Sequence, residues 1–185
     1  MRKTYTLHVA GLERELPLCP VNEKMDIAAF IMFSDVEITK AAAGELLKKA
    51  PQFDIMITAE SKGIPLAYEM ARQSGNNDYI VARKGPKLYM QDIITTKVDS
   101  ITTDHVQILC IGKKEADQMR GKRVLIVDDV ISTGESLTAI ETLVKQVGGE
   151  IAGRMTVLAE GEAADRKDII YLEKLPVFNP DGSIK

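Results

Sequence analysis

The run Val124-Leu125-Ile126-Val127 passes without a break into Asp128-Asp129-Val130-Ile131-Ser132-Thr133-Gly134-Glu135-Ser136, and no other stretch constrains the fold as tightly. Four consecutive β-favouring apolar residues suit a strand buried on both faces, as in a parallel sheet covered by helices. Beyond the hydroxyl-rich turn, Leu137, Ile140, Val144 and Val147 recur on one helical face, and Gly148-Gly149 supplies the stop. The stretch therefore reads as strand, loop, helix. Its loop lies at the carboxyl end of a central strand and the amino end of a helix, where α/β proteins place ligands.

The residue types in that loop have separate chemical uses. Gly134 lets the chain approach a ligand closely. Ser132, Thr133 and Ser136 offer hydroxyl donors, and the amides of a first helical turn point outward, so the corner suits a phosphate monoester. Asp128 and Asp129 repel such a group. As ionised carboxylates they only accept hydrogen bonds, which suits the vicinal hydroxyls of a sugar or a hydrated Mg²⁺. A phosphate cradle preceded by a diol acceptor describes a ribose 5-phosphate site.

Other corners repeat the pattern. A helix from Ile38 to Ala50 stops at Pro51. Phe53 to Thr58 reads as a strand, with Ala59-Glu60-Ser61-Lys62-Gly63-Ile64-Pro65 at its corner and a helix through Gln73 that turns Leu66, Ala67, Met70 and Ala71 inward. Asp78 to Ala82 is a further short strand, followed by Arg83-Lys84-Gly85-Pro86-Lys87-Leu88, a flexible cationic loop. Ile93–Val98 and Val106–Ile111 predict a hairpin joined through the polar Asp99–His105 segment. His105, with no partner to orient it, reads as a surface residue rather than a general base. Glu150–Leu158 predicts another strand, ending in Ala159-Glu160-Gly161-Glu162. Arg166 to Phe178 adds a short strand and tail, and the last residues read as disordered. Before residue 34, Thr4–Val9 is strand-like, Gly11 marks a turn, and Pro17 and Pro20 read as breaks. Phe30 and Phe33 lie in an apolar run suited to a core.

The stretch from Val124 to Ser136 resembles the phosphoribosyl pyrophosphate (PRPP) signature of the type I phosphoribosyltransferases. The resemblance implies an α/β fold: a central, mostly parallel sheet flanked by helices, with a small N-terminal hood. It implies a single domain over residues 1–185, with a hood region 1–33 and a core 34–178. By the same resemblance, Asp128 and Asp129 hold the ribose hydroxyls, and Ile131, Ser132, Thr133, Gly134, Glu135 and Ser136 wrap the 5′-phosphate. Ser61, Lys62 and Gly63 resemble the family's pyrophosphate loop, where an unusual peptide geometry is expected. Arg83, Lys84 and Lys87 resemble the Ala-Arg-Lys loop of the adenine enzymes, which binds pyrophosphate partly across a dimer interface. A homodimer with this loop near its interface is therefore expected, with Asp128, Asp129, Arg83 and Lys84 as the catalytic groups. Phe30 or Phe33 in the hood, and Glu160, are expected to meet the base. Mg²⁺ is the implied cofactor, held mainly by PRPP and water with no dedicated set of protein ligands.

The implied activity is transfer of the 5-phosphoribosyl group of PRPP to a purine in purine salvage, giving a nucleoside 5′-monophosphate and pyrophosphate. Adenine is the first choice from the Ala-Arg-Lys loop. The adenine enzymes' Glu-Tyr-Gly is absent from the region of residues 99–105, and the long hairpin is nearer the xanthine enzymes, so xanthine or guanine is the alternative. Lys62 to Tyr68 also resembles the purine repressors, which makes a PRPP-sensing regulator of purine genes the reading from another class. The residues before the first clear helix are too few for a winged helix plus a hood. A net charge of −3 and a pI near 5.5 argue against a nucleic-acid surface. Cys19 and Cys110 stand in apolar surroundings, as free thiols do in a reducing compartment. No continuous apolar run suggests a signal peptide or a membrane span, so the expected location is the cytoplasm.

Overall fold

The computed structural model describes residues 3–98 and 107–185. Its core is built by alternation along two central strands, β4 (Ile55–Ala59) and β8 (Arg123–Ile131). Val124 and Ile126 of β8 enter one apolar cluster with Ile55 and Ile57 of β4, while Leu125 and Val127 enter another with Met56. Side chains two apart share a face, so an unbroken apolar run supplies both sides of the sheet at once. Each fully buried Leu, Ile or Met stabilises the fold by about 1.5–3 kcal/mol relative to exposure.

Five strands make this sheet, in the order β10 (Ile170–Leu175), β9 (Glu150–Glu160), β8, β4, β5 (Ile80–Ala82). Every neighbouring pair is parallel, so the sheet expected to be mostly parallel is wholly so. From β4 the chain proceeds to β5 on one side, and from β8 to β9 and β10 on the other. The order reverses between β4 and β8, which opens a crevice at their carboxyl ends.

Helices cover both faces. α1 (Val36–Lys49) and α2 (Ile64–Ser74) bury Ile38, Ala42 and Leu46, and Leu66, Ala67 and Met70, against one side. α3 (Lys113–Met119) and α4 (Glu135–Gln146) bury Met119, Leu137, Ile140 and Leu143 against the other. Asp35 caps α1 by accepting from the Ile38 amide at 3.0 Å, and its carboxylate also holds Arg14 of the N-terminal sheet at 2.7 Å. α3 has no counterpart in the sequence reading, because two buried residues in a single short segment, Ala116 and Met119, make no readable period.

A second sheet sits at the amino-terminal end: β1 (Thr4–Val9), β2 (Leu12–Asn22), β3 (Met25–Ala28) and β11 (Val177–Phe178), all antiparallel. Contrary to expectation, Pro17 and Pro20 do not break β2. They sit where the ladder runs out: Pro17 faces Thr4, the first residue of β1, and Pro20 precedes the register shift against β3. The carboxyl-terminal residues are also ordered, against expectation. Asn179 donates to the Ser183 carbonyl at 2.8 Å, Asp181 accepts from the Ser183 amide at 2.9 Å, and Lys185 donates to the Val177 carbonyl at 2.9 Å. A third, two-stranded antiparallel sheet pairs β6 (Ile94–Val98) with β7 (Gln107–Ile111). The hairpin is as expected; the segment joining it, with His105, lies outside the described residues.

Candidate active site

The acids stand on the strand itself rather than in a loop beyond it, since β8 continues through Asp128 and Asp129 to Ile131. The Asp129 amide donates to Asp128 Oδ1 at 2.9 Å. Burial pushes the Asp128 carboxyl well above the usual carboxylate range, and the neighbouring Asp129 adds to the shift while Lys62 opposes it. Asp129 is 2% exposed, and its Oδ2 has no hydrogen-bond partner among the described residues. Lys62 Nζ stands 3.4 Å from that oxygen and supplies charge. An unsatisfied buried acceptor costs about 1–3 kcal/mol, a deficit that donors on a ligand remove.

Lys62 comes from the β4–α2 corner. There the Glu60–Ser61 peptide bond is cis, the unusual geometry expected at this position. Gly63 is required for space: a Cβ on it would overlap Thr58 Oγ1 and stand 2.9 Å from Asp128 Oδ1. The two corners on either side of the crevice thus touch. Ser61 and Lys62 are exposed beside it, while Gly63 is buried.

Glu60, which the sequence reading passed over, joins this corner to the cationic loop. Its carboxylate accepts from the Lys84 amide at 3.0 Å and lies 3.4 Å from Arg83 Nη1 and 4.0 Å from Lys87 Nζ. The Lys84 amide and the surrounding cations hold its carboxyl below the ordinary range. Arg83 also donates to the Tyr89 hydroxyl at 2.8 Å and exchanges two backbone hydrogen bonds with Cys110 on β7. Arg83, Lys84 and Lys87 therefore gather beside the corner that carries Ser61, Lys62 and Gly63.

On the other side of Asp129, Ile131 is buried while Ser132 and Thr133 are exposed. Gly134 starts α4 with φ +83°, in the left-handed region that favours glycine. Having no side chain, Gly134 contributes no capping oxygen of its own to this helix. A Cβ at Gly134 would also meet Arg166 Nη1 at 2.7 Å, so a cation from beyond β9 overhangs this turn.

A cavity of about 640 Å³ runs from Ser132, Thr133 and Arg166 to Glu160, Gly161 and Glu162, walled by Met25, Ile27 and Val177. Glu160, the acid expected near the base, lines this cavity. The two phenylalanines are not among its walls. Phe30 is 4% exposed within the core, Phe33 is half exposed, and Met25 and Ile27 of β3 provide the apolar side instead. Alternation on a short hood strand, which Phe30 and Phe33 lie beyond, was the signal that would have found them. Among the described residues no group of three or more His, Cys, Asp or Glu is placed to hold a metal ion by itself, and no helix is long and apolar enough to cross a membrane.

Comparison with known proteins agrees with this geometry. The model of the phosphoribosyl transferase domain family matches residues 34–179. A hypoxanthine/guanine phosphoribosyltransferase of Methanotorris igneus is 30% identical over 160 residues, 82% of this chain and 83% of that protein. An adenine phosphoribosyltransferase of Cenarchaeum symbiosum is 37% identical over 114 residues, 60% of this chain and 64% of that protein. In structure, the adenine phosphoribosyltransferase of Thermoanaerobacter pseudethanolicus superimposes with a TM-score of 0.64 at 24% identity, over 77% of this chain and 84% of that one. With the wholly parallel sheet, the acid pair at its point of reversal and a family match across most of its length, the chain belongs to the phosphoribosyltransferase family.

Proposed function

We propose that this protein is a purine phosphoribosyltransferase of purine salvage, joining a purine to the ribose of PRPP and releasing pyrophosphate. The observation that carries the proposal is the buried Asp129 Oδ2, an acceptor without a hydrogen-bond donor among the described residues, set between the Lys62 corner and the Gly134 turn. The ribose hydroxyls are donors of the kind that oxygen lacks. Asp128 and Asp129 bind the diol, and Ile131 to Ser136 bind the 5′-phosphate through the turn and first-turn amides. Ser61, Lys62, Gly63, Arg83, Lys84 and Lys87 receive the pyrophosphate. As the bond at C1′ loosens, negative charge grows on the leaving group, and Lys62, Arg83 and Lys84 oppose it in place. The base is held against Met25, Ile27 and Glu160 so that a ring nitrogen faces C1′, and positioning supplies most of the acceleration.

Mg²⁺ suits this donor set as a partner of the substrate: two carboxylates, with no larger His, Cys, Asp or Glu cluster among the described residues, match an ion that keeps its waters and phosphate oxygens. When bound, it would neutralise charge on the pyrophosphate, with Asp128 and Asp129 available to meet its waters.

Adenine is the proposed base, supported by the Arg83-Lys84 loop and by the name of the Cenarchaeum relative. A 6-oxopurine is the second reading, supported by the Methanotorris relative and by Glu160, whose carboxylate matches the adjacent N1–H and N2–H donors of guanine. We further propose a homodimer that covers the exposed Leu88 and Tyr89 next to the cationic loop, and a cytoplasmic location, where Cys19 and Cys110 remain free thiols. Incubation with PRPP, Mg²⁺ and each of adenine, guanine, hypoxanthine and xanthine tests the assignment. Pyrophosphate and a nucleoside monophosphate are expected with one or two of them; no product with any purine contradicts it.

A further inference from the structure

The turn proposed to hold the 5′-phosphate is surrounded by acids. Asp128 and Asp129 precede it, Glu135 opens α4, and Glu160 and Glu162 line the adjoining cavity. A phosphate dianion placed among five carboxylates needs a fixed cation, and Lys62 belongs to the far side of the crevice, against Asp129. Arg166 is the cation on the near side. It follows the short 3-10 helix Gly161–Asp165, lines the same cavity as Ser132 and Thr133, and brings Nη1 within 2.7 Å of where a Cβ of Gly134 would stand.

The guanidinium is aimed. Its Nε donates to Asp168 Oδ1 at 2.9 Å and its Nη2 to Asp168 Oδ2 at 2.7 Å, a two-pronged pairing that fixes the plane of the group. That fork occupies one edge and leaves Nη1 as the corner over the turn. Asp168 is itself steadied, since Arg154 on β9 lies 3.7 Å from its Oδ2 while donating to Glu141 of α4 at 2.5 Å. Chain from α4, β9 and the segment before β10 thus converges to hold one cation above the amino end of α4. Gly134 serves this arrangement twice, through its left-handed backbone and through the space it leaves for Nη1.

We propose that Arg166 is a ligand-binding residue for the 5′-phosphate of PRPP and of the nucleotide product, with Asp168 as its positioning residue. The proposal rests on the reading of the turn as the phosphate site. Its consequence is selective: Arg166 acts on the phosphate monoester and not on the pyrophosphate, which belongs to the Lys62 and Arg83 side.

Calorimetric titration with ribose 5-phosphate, and separately with pyrophosphate and Mg²⁺, tests it on the full chain. Arg166→Gln is expected to weaken ribose 5-phosphate by about 10- to 100-fold, the span of a charge-assisted contact, and to leave pyrophosphate within about twofold. Arg166→Lys recovers part of the loss by restoring charge without the fork, and Asp168→Asn loses less than Arg166→Gln. Loss of both ligands to the same degree in Arg166→Gln, or ribose 5-phosphate affinity within about twofold of the unaltered chain, overturns the role of Arg166. Should Arg166→Gln fail to fold, Arg166→Lys carries the test, and equal affinity for ribose 5-phosphate in that variant and the unaltered chain overturns the need for the fork. If the unaltered chain binds pyrophosphate but no ribose 5-phosphate, the reading of the turn itself falls, and the inference with it.

Discussion

Lys62 Nζ lies 3.4 Å from Asp129 Oδ2, across the point where the strand order of the central sheet reverses. The contact joins a residue proposed for pyrophosphate to one proposed for ribose, so in the ligand-free chain each charge stands in for part of the other's substrate. Binding of PRPP would separate their tasks. Lys62→Met is expected to weaken PRPP by about 10- to 100-fold. Because loss of the ammonium leaves the buried Asp129 carboxylate without its cation, stability should also fall, by about 1–3 kcal/mol. Calorimetry alongside thermal melting checks both, and unchanged PRPP affinity would remove Lys62 from the site.

Asp128 carries the opposite cost. Its carboxyl is raised by burial and by Asp129, so between the unfolded value of about 3.9 and the raised folded value the native chain holds the extra proton. Stability therefore falls as pH rises through that window. Asp128→Asn should melt about 2–4 °C higher than the unaltered chain near pH 7.5, with the gap closing towards pH 4, while PRPP binding is lost. Melting curves across pH decide it; a variant less stable at every pH contradicts the shift.

Gly63 tests the close approach of the two corners. Gly63→Ala drives a Cβ into Thr58 Oγ1 and Asp128 Oδ1, at an expected cost of about 1–3 kcal/mol together with weaker PRPP binding. Gly85→Ala is the control. Among the described residues nothing lies within 4 Å of its Cβ position, and its stability should stay within about 0.5 kcal/mol. Denaturant unfolding of the pair, giving equal losses, would refute the packing argument.

Away from the site, the buried Glu69 accepts two hydrogen bonds from Arg72, each 2.8 Å, and a third from Gln73. The Arg72 guanidinium lowers its carboxyl to about 2. A depressed acid stabilises the fold above its unfolded value and loses that contribution as pH falls towards the folded one. Glu69→Gln should cost about 1 kcal/mol at pH 7, and the deficit should shrink between about pH 4 and pH 2. Urea midpoints at several pH values measure this, and a deficit independent of pH would contradict it.

Much of this architecture was written locally. The apolar run before Asp128, the inward residues of α2 and the hairpin of β6 and β7 follow from periodicity within single segments. What escaped depends on contacts distant in sequence. Pro17 and Pro20 read as breaks because nothing local says where β1 and β3 end. The tail from Asn179 to Lys185 is tied to the far end of the chain, where Lys3 Nζ donates to the Pro180 carbonyl at 2.9 Å. Among the site residues, Gly134 announces itself by its loop, whereas Arg166 and Glu60 acquire meaning only when folding sets them against the Gly134 turn and the Arg83 loop. Phe30 was legible locally: an aromatic in an apolar run suits the core, and the core is where it lies.

The central claim is that Asp128 and Asp129 grip the ribose of PRPP. Titrating PRPP with Mg²⁺ into the unaltered protein and into Asp128→Asn with Asp129→Asn tests it most directly. The account predicts saturable binding to the first and at least about a 100-fold weaker affinity in the second, with the far-ultraviolet circular dichroism unchanged. Equal PRPP affinity in the two proteins would contradict it.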